Sequence, residues 1–300
     1  MAACELHDFK PCPPDRKPDR TIVIIGKTGN GKSTLANSIA GRYDGDLFPE
    51  SDSPMSETLG RPTHKVLVSY GGEELAVKIV DTIGYGDNRL SEEKVLVALA
   101  ELAHECDDGI HQLLFVTRGR FTKEEQDTID KMINVIFQPD VAQFSTLVRT
   151  ATPAKDLAPA VIDQKTADYW RQLIEIDPRL RRIPTFLMVS NPDGGDESSI
   201  EMRRKTRERL MEHIVLHYRK KYIPPLFPDI QARIGKEMEA KNALQDEVDE
   251  LKRQLETSAI SQKEFMEKQG EIFKEMMRVN QELVKKMESM KRGGGMCTIL

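Results

Sequence analysis

Cysteine is scarce in this chain, tryptophan occurs once, aromatic residues make up 6%, and neither sign of charge dominates. Each shortage excludes something. Cys4, Cys12, Cys106 and Cys297 lie far apart without metal-ligand spacing, so neither a disulfide framework nor a zinc site is expected, and a reducing cytosolic setting is the simple reading. With 44 basic and 49 acidic residues the formal charge is −5, a mixed-sign surface that argues against a general nucleic-acid binder. No apolar run reaches the roughly eighteen residues of a membrane span, so membrane attachment would have to come from a lipid or from surface binding. Residues 1–19 carry Pro11, Pro13, Pro14 and Pro18 among charges and lack the apolar core of a signal peptide. They are expected to be disordered.

What is present divides at Ile223-Pro224-Pro225. Apolar residues concentrate before it, while beyond Pro228 the chain turns to Glu, Lys, Gln, Met and Leu without proline. This predicts a globular domain over 20–222, a helical segment over 229–292 and a short tail over 293–300. In the first half, Thr21 to Ile25 reads as a buried strand, then a glycine-rich loop, then a helix from Ser33 stopping at Gly41. Lys65 to Tyr70 and Leu75 to Val80 read as a hairpin through Gly71-Gly72. Further strands are expected at Gln112 to Val116, Phe144 to Arg149 and Thr185 to Ser190, with helices at about 91–106, 122–137 and 198–221. Alternating strands and helices predict an α/β fold, a mostly parallel mixed sheet covered on both faces.

The strongest motif is Gly26-Lys27-Thr28-Gly29-Asn30-Gly31-Lys32-Ser33, a full GxxxxGK[ST] between the first strand and the first helix. Phosphates need many donors at close range. Backbone N–H groups can approach only where glycines remove side chains, and the following helix presents its positive end. Residues 27–34, from Lys27 to Thr34, are therefore candidate nucleotide contacts. Lys32 supplies a positive charge for the outer phosphates, and Ser33 is the expected magnesium ligand. Asp81-Thr82-Ile83-Gly84 follows the strand ending at Val80. Asp81 is the candidate second magnesium carboxylate, and Gly84 can bring its N–H to a γ-phosphate. Between these motifs, Phe48 to His64 is polar and aperiodic, as in a loop ordered by triphosphate and metal. Thr58 is the candidate switch hydroxyl and third metal ligand, with Ser56 and Thr63 as rivals.

At Leu113-Leu114-Phe115-Val116-Thr117-Arg118-Gly119-Arg120-Phe121-Thr122-Lys123-Glu124-Glu125 the sequence resembles the family-specific box of the GIMAP/IAN immunity-associated GTPases, relatives of septins and of the chloroplast Toc GTPases. With the two phosphate motifs, the resemblance covers about residues 20–220. It implies a Ras-like G domain, GTP and GDP as ligands with Mg²⁺, and a homodimer across the nucleotide face in the triphosphate state. Read without the family, the same residues give a buried strand, a turn at Gly119, and a helix capped by Thr122 with Glu125 three residues on.

Several positions depart from that pattern. Ile83 stands where the family usually has proline. The base-reading string is degenerate: Thr150-Ala151-Thr152-Pro153-Ala154-Lys155-Asp156-Leu157 reaches Lys155-Asp156 only after extra residues. The resemblance makes Asp156 a candidate for the guanine N1 and N2 donors, and Asn191 in Ser190-Asn191-Pro192 a stronger candidate base contact. No glutamine follows Gly84 to position water, so hydrolysis is expected to be slow, with no catalytic residue assigned. Arg118, Arg120 and His111 are candidate donors in trans.

In the helical half, Leu244, Val248, Leu251 and Leu255 are spaced 4-3-4, and Ile272, Met276, Val279 and Leu283 repeat the spacing. Two coiled-coil blocks are expected, pairing in trans or folding back along the first domain; uninterrupted, the helix would extend about 95 Å. The basic stretch from Arg203 to Lys221 is read as an amphipathic helix with a solvated face. Cys297-Thr298-Ile299-Leu300 has the form of a CaaX box whose leucine favours geranylgeranyl. Lys285, Lys286, Lys291 and Arg292 upstream would add attraction to anionic lipid, placing the protein peripherally on the cytosolic face of a membrane. Three functions therefore compete: a GTP-controlled dimerising switch at a membrane surface, a coiled-coil scaffold with permanently bound nucleotide, and a P-loop ATPase or small-molecule kinase.

Overall fold

The computed structural model describes residues 9–43, 47–49, 63–70, 73–82, 84–85, 92–192, 195–217, 220–257, 268–279 and 281–282. Among these, seven strands form one sheet: β1 (Lys10–Pro11), β2 (Arg20–Gly26), β3 (Thr63–Tyr70), β4 (Glu73–Asp81), β5 (Gln112–Arg118), β6 (Ser145–Thr150) and β7 (Thr185–Met188). Their order is β1-β3-β4-β2-β5-β6-β7. β4, β2, β5, β6 and β7 run parallel, and β3 returns antiparallel beside β4 with Tyr70 opposite Glu73. The mixed sheet is therefore the one expected, and the hairpin supplies its antiparallel member.

Strand alternation sorts the core onto two faces. On β2, Val23 and Ile25 join one cluster while Ile22 and Ile24 join the other; on β5, Leu113 and Phe115 separate likewise from Leu114 and Val116. Helices α1 (Lys32–Ala40) and α5 (Glu197–His217) cover one face through Leu35, Ile39, Leu210 and Ile214. Helices α2 (Glu92–Glu105), α3 (Lys123–Lys131), α4 (Ile162–Ile176) and the start of α6 (Phe227–Thr257) supply the other through Leu99, Ile129, Leu173 and Ile230. With both faces covered, the central strands are continuous hydrophobic runs, as parallel sheets require.

The structure corrects several expectations. Residues 9–19 are ordered rather than disordered. β1 is an edge strand, where proline costs no ladder bond, with Lys10 opposite Leu67. Lys65 Nζ donates to the carbonyls of Pro14 (2.6 Å) and Arg16 (3.2 Å), and Asp19 Oδ2 accepts the Ala76 N–H at 2.8 Å. Helix α4 lies outside the sequence expectation. Tyr169 and Trp170 both stack on Phe186, each at 5.5 Å, aromatic contacts that a heptad-like count does not register. The helix expected over 122–137 keeps α geometry only to Lys131 and turns π-helical over Met132–Phe137.

The first domain also runs past residue 222. The compact unit ends at Met238, because Ile230 and Ile234, four residues apart on α6, are buried in the core and Met238 packs against it. The second unit starts at Glu239. There, Leu244 is 61% and Val248 37% exposed, and residues 268–279 are helical with Ile272, Met276 and Val279 exposed. The side chains of Leu251, Leu255 and Leu283, the residues joining the two blocks, and Cys297 lie outside the described residues. No described helix is long and apolar enough to cross a membrane. Helix α5 has the solvated face expected, but Arg203 is buried. Its Nε donates to Pro192 O and a terminal nitrogen to Tyr43 O, both at 2.9 Å.

Candidate nucleotide site

The chain leaves β2 at Gly26 and turns into α1 through Lys27–Gly31. Gly29 (φ 83°) and Gly31 (φ 82°) adopt left-handed conformations that a side chain would strain. Gly31 is the N-cap of α1, and no side chain caps the helix. The N–H groups of the first turn and the positive end of the helix dipole thus face the place where the motif puts phosphate. Thr34 is buried in that turn, its carbonyl accepting Ser38 Oγ at 2.9 Å.

Lys32 is 8% exposed and its Nζ donates to Lys27 O at 3.3 Å. Burial pushes its pKa down, opposed by the nearby Asp81 charge. Asp81, the last residue of β4, is also buried. Its Oδ2 accepts Ser33 Oγ at 2.6 Å, while Oδ1 is buried without a partner. Burial raises the pKa of this carboxylate, against the pull of Lys32, the Ser33 hydroxyl and the Thr82 N–H. An orphaned carboxylate oxygen beside a serine hydroxyl fits a hard divalent cation completed by water and phosphate oxygens. No group of three His, Cys, Asp or Glu residues that could hold a metal occurs among the described residues, where Ser33 and Asp81 are the candidate ligands.

Gly84 lies directly over this loop. A Cβ there would come within 2.2 Å of Thr28 Oγ1 and 2.6 Å of its backbone nitrogen. The Thr28 N–H donates to Tyr85 O at 3.2 Å, and Lys27 and Tyr85 form a parallel bridge. Tyr85 occupies the position after Gly84, but its ring is 6% exposed within the core and burial raises its pKa. The side chain is an anchor rather than a water-orienting group. Ile83 and Thr58 lie outside the described residues, as does Ser56. Thr63 is the first residue of β3, opposite Val80, and so stands in a strand.

The two base-side candidates have different local partners. Asp156 lies in a 3₁₀ turn (Ala154–Leu157) with its carboxylate 3.8 Å from Lys165 of α4. Asn191 follows β7 and faces α1 instead: its Oδ1 accepts Ser38 Oγ at 3.3 Å, and its Nδ2 is buried without a partner. Arg118 and Arg120 are exposed, with Arg118 reaching Gly29 O at 3.4 Å. His111 stands at the opposite end of the sheet, where its Nδ1 accepts the Thr21 N–H at 3.0 Å. Its pKa falls to about 4 through burial and then the Arg20 and Lys221 charges. Sequence reasoning missed Thr150, whose hydroxyl donates to Asn30 O at 2.8 Å, and the buried Asn30 to Glu125 contact.

A β-strand, glycine loop and helix that bring the half-buried Ser33 together with the buried Lys32 and Asp81 define a P-loop nucleotide-binding protein. Residues 20–174, more than half of the chain, match the model of the AIG1 family, and the chain belongs to that family. It is 24% identical over 253 residues to immune-associated nucleotide-binding protein 9 of Arabidopsis thaliana, covering 80% of this chain and 70% of that protein. Immune-associated nucleotide-binding protein 7 of the same plant is 29% identical over 136 residues, but only 42% of its length is matched. Toc33 from Arabidopsis thaliana in complex with GDP and Mg²⁺ is similar in structure with a TM-score of 0.47 and 16% identity, over 69% of this chain and 88% of that one. The resemblance read at Leu113 to Glu125 is thus borne out.

Proposed function

We propose that this chain binds GTP and GDP with Mg²⁺ and acts as a slow GTPase whose nucleotide state controls homodimer formation. The observation that carries the reading is the cluster of Ser33, Asp81 and Lys32 at the uncapped start of α1. Magnesium would supply neutralisation of phosphate charge there. Lys32 would hold the outer phosphates, and Gly84, pressed on Thr28, would move when a γ-phosphate needs the same space. The buried Tyr85 ring offers no group to orient water, which supports slow hydrolysis without a second subunit. Asn191, with its unpartnered Nδ2, is the preferred base contact, and guanine over adenine is what the resemblance to the GIMAP/IAN GTPases implies.

The exposed Leu244 and Val248 support a second reading, a scaffold whose coiled coil pairs two copies regardless of nucleotide. A lipid on Cys297 would hold either assembly at a cytosolic membrane surface. Titration with GTP, GDP and ATP analogues, with mass read by light scattering, separates these readings. Association only with the triphosphate favours the switch, constant dimer mass favours the scaffold, and equal affinity for ATP removes guanine selectivity. A Cys297→Ser protein that stays on membranes would remove the anchor.

A further inference from the structure

Asn30, in the phosphate loop, has its side chain locked into the body of the domain. It lies between the two left-handed glycines, where the backbone has little preference of its own. Its Nδ2 donates to Val116 O and to Glu125 Oε1, both at 2.9 Å. Its carbonyl accepts the Thr150 hydroxyl at 2.8 Å, and its N–H donates to Lys27 O at 3.1 Å. The ends of β5 and β6 and the start of α3 therefore converge on one residue.

Glu125 is the least expected member of this set. It is 2% exposed, and it also closes the capping box of α3. Its Oε2 accepts the Thr122 N–H at 2.8 Å and the Thr122 hydroxyl at 3.1 Å, while Oε1 is given to Asn30. The ion pair that a buried carboxylate would be expected to seek goes instead to its exposed neighbour, Glu124, which pairs with Lys27. A buried negative charge beside a loop built to bind phosphate opposes that binding through space. The arrangement makes physical sense when the acceptor geometry outweighs the charge. Three donors converge on Glu125, and a carboxylate, unlike an amide, meets all of them with oxygen.

We propose that Glu125 is a positioning residue of the nucleotide site: through Asn30 it holds the phosphate loop in its anion-accepting shape, tying nucleotide affinity to the start of α3. This rests on the nucleotide-binding reading above. It also gives the family box a physical task, since Val116, Thr122 and Glu125 of that segment all belong to the network.

The sign of one substitution separates this role from that of a background charge. Glu125→Gln removes the unfavourable charge but turns an NH₂ group toward a donor. Measured with a fluorescent GDP analogue and magnesium, Glu125→Gln is expected to bind about tenfold more weakly, the size of one charged hydrogen bond. Asn30→Ala should weaken binding similarly, and the double variant no more than the worse single one, because both remove the same bond. Asp127→Asn, which removes a charge from the same helix where it faces Arg179 and not the phosphate loop, should stay within about twofold. Equal or tighter binding by Glu125→Gln, or additive losses in the double variant, would overturn the proposal. If Glu125→Gln does not fold, Asn30→Ala alone decides, since unchanged affinity there sinks it. A wild-type protein that binds no nucleotide would instead defeat the nucleotide-binding reading itself.

Discussion

The phosphate end and the base end of the candidate site are built differently. At the phosphate end, Lys32 of α1, Asp81 of β4 and Asn30 of the loop are buried, and hydrogen bonds tie the half-buried Ser33 to Asp81 and Asn30 to the end of β5. At the base end, Asp156 belongs to a 3₁₀ turn facing α4, while Asn191 faces α1. The candidate phosphate contacts are backbone groups of the loop and a few charges held beside the central strands. The candidate base contacts are side chains that follow two different strands, and of the two only Asn191 has a buried polar atom without a partner.

That contrast sets the order of expected losses. Lys32→Ala should weaken nucleotide binding most, by about a hundredfold or more, since it removes a buried ammonium from charged oxygens; calorimetry with GDP measures it directly. Asp81→Asn should follow, losing most of the gain in affinity that magnesium brings while leaving magnesium-free binding near wild type, as a titration of magnesium at fixed GDP would read. Asn191→Ala should cost roughly tenfold for GDP and little for ADP, because it removes one base-directed hydrogen bond. Asp156→Ala should change GDP affinity by no more than about threefold, in keeping with a partly exposed carboxylate paired to Lys165. A larger loss from Asp156→Ala than from Asn191→Ala would reverse the assignment of the base end.

The legible parts of this chain were those in which local pattern and tertiary position coincide. β2, the glycine loop and α1 are contiguous, and the short continuous apolar runs of the central strands match their burial on both faces. The hairpin could be placed because its two strands are neighbours in sequence as well as in space. What escaped needed distant partners. β1 exists because Lys65 and Asp19 tie residues 13–19 to β3 and β4, and its prolines read locally as disorder. The end of the first domain was misjudged because Ile230, Ile234 and Met238 continue a helix whose later residues look the same but are exposed. The Thr122 to Glu125 capping box was plain from spacing, yet its link to Asn30 spans 95 residues and no local rule contains it.

Titration of the purified protein with GTP, GDP and ATP analogues in the presence of magnesium, with molecular mass read alongside, tests the proposed nucleotide switch most directly. Guanine-selective binding that is lost in Lys32→Ala, with association only for the triphosphate analogue, is the expected result. Binding that ignores the base, survives Lys32→Ala or leaves the mass unchanged between diphosphate and triphosphate would contradict it.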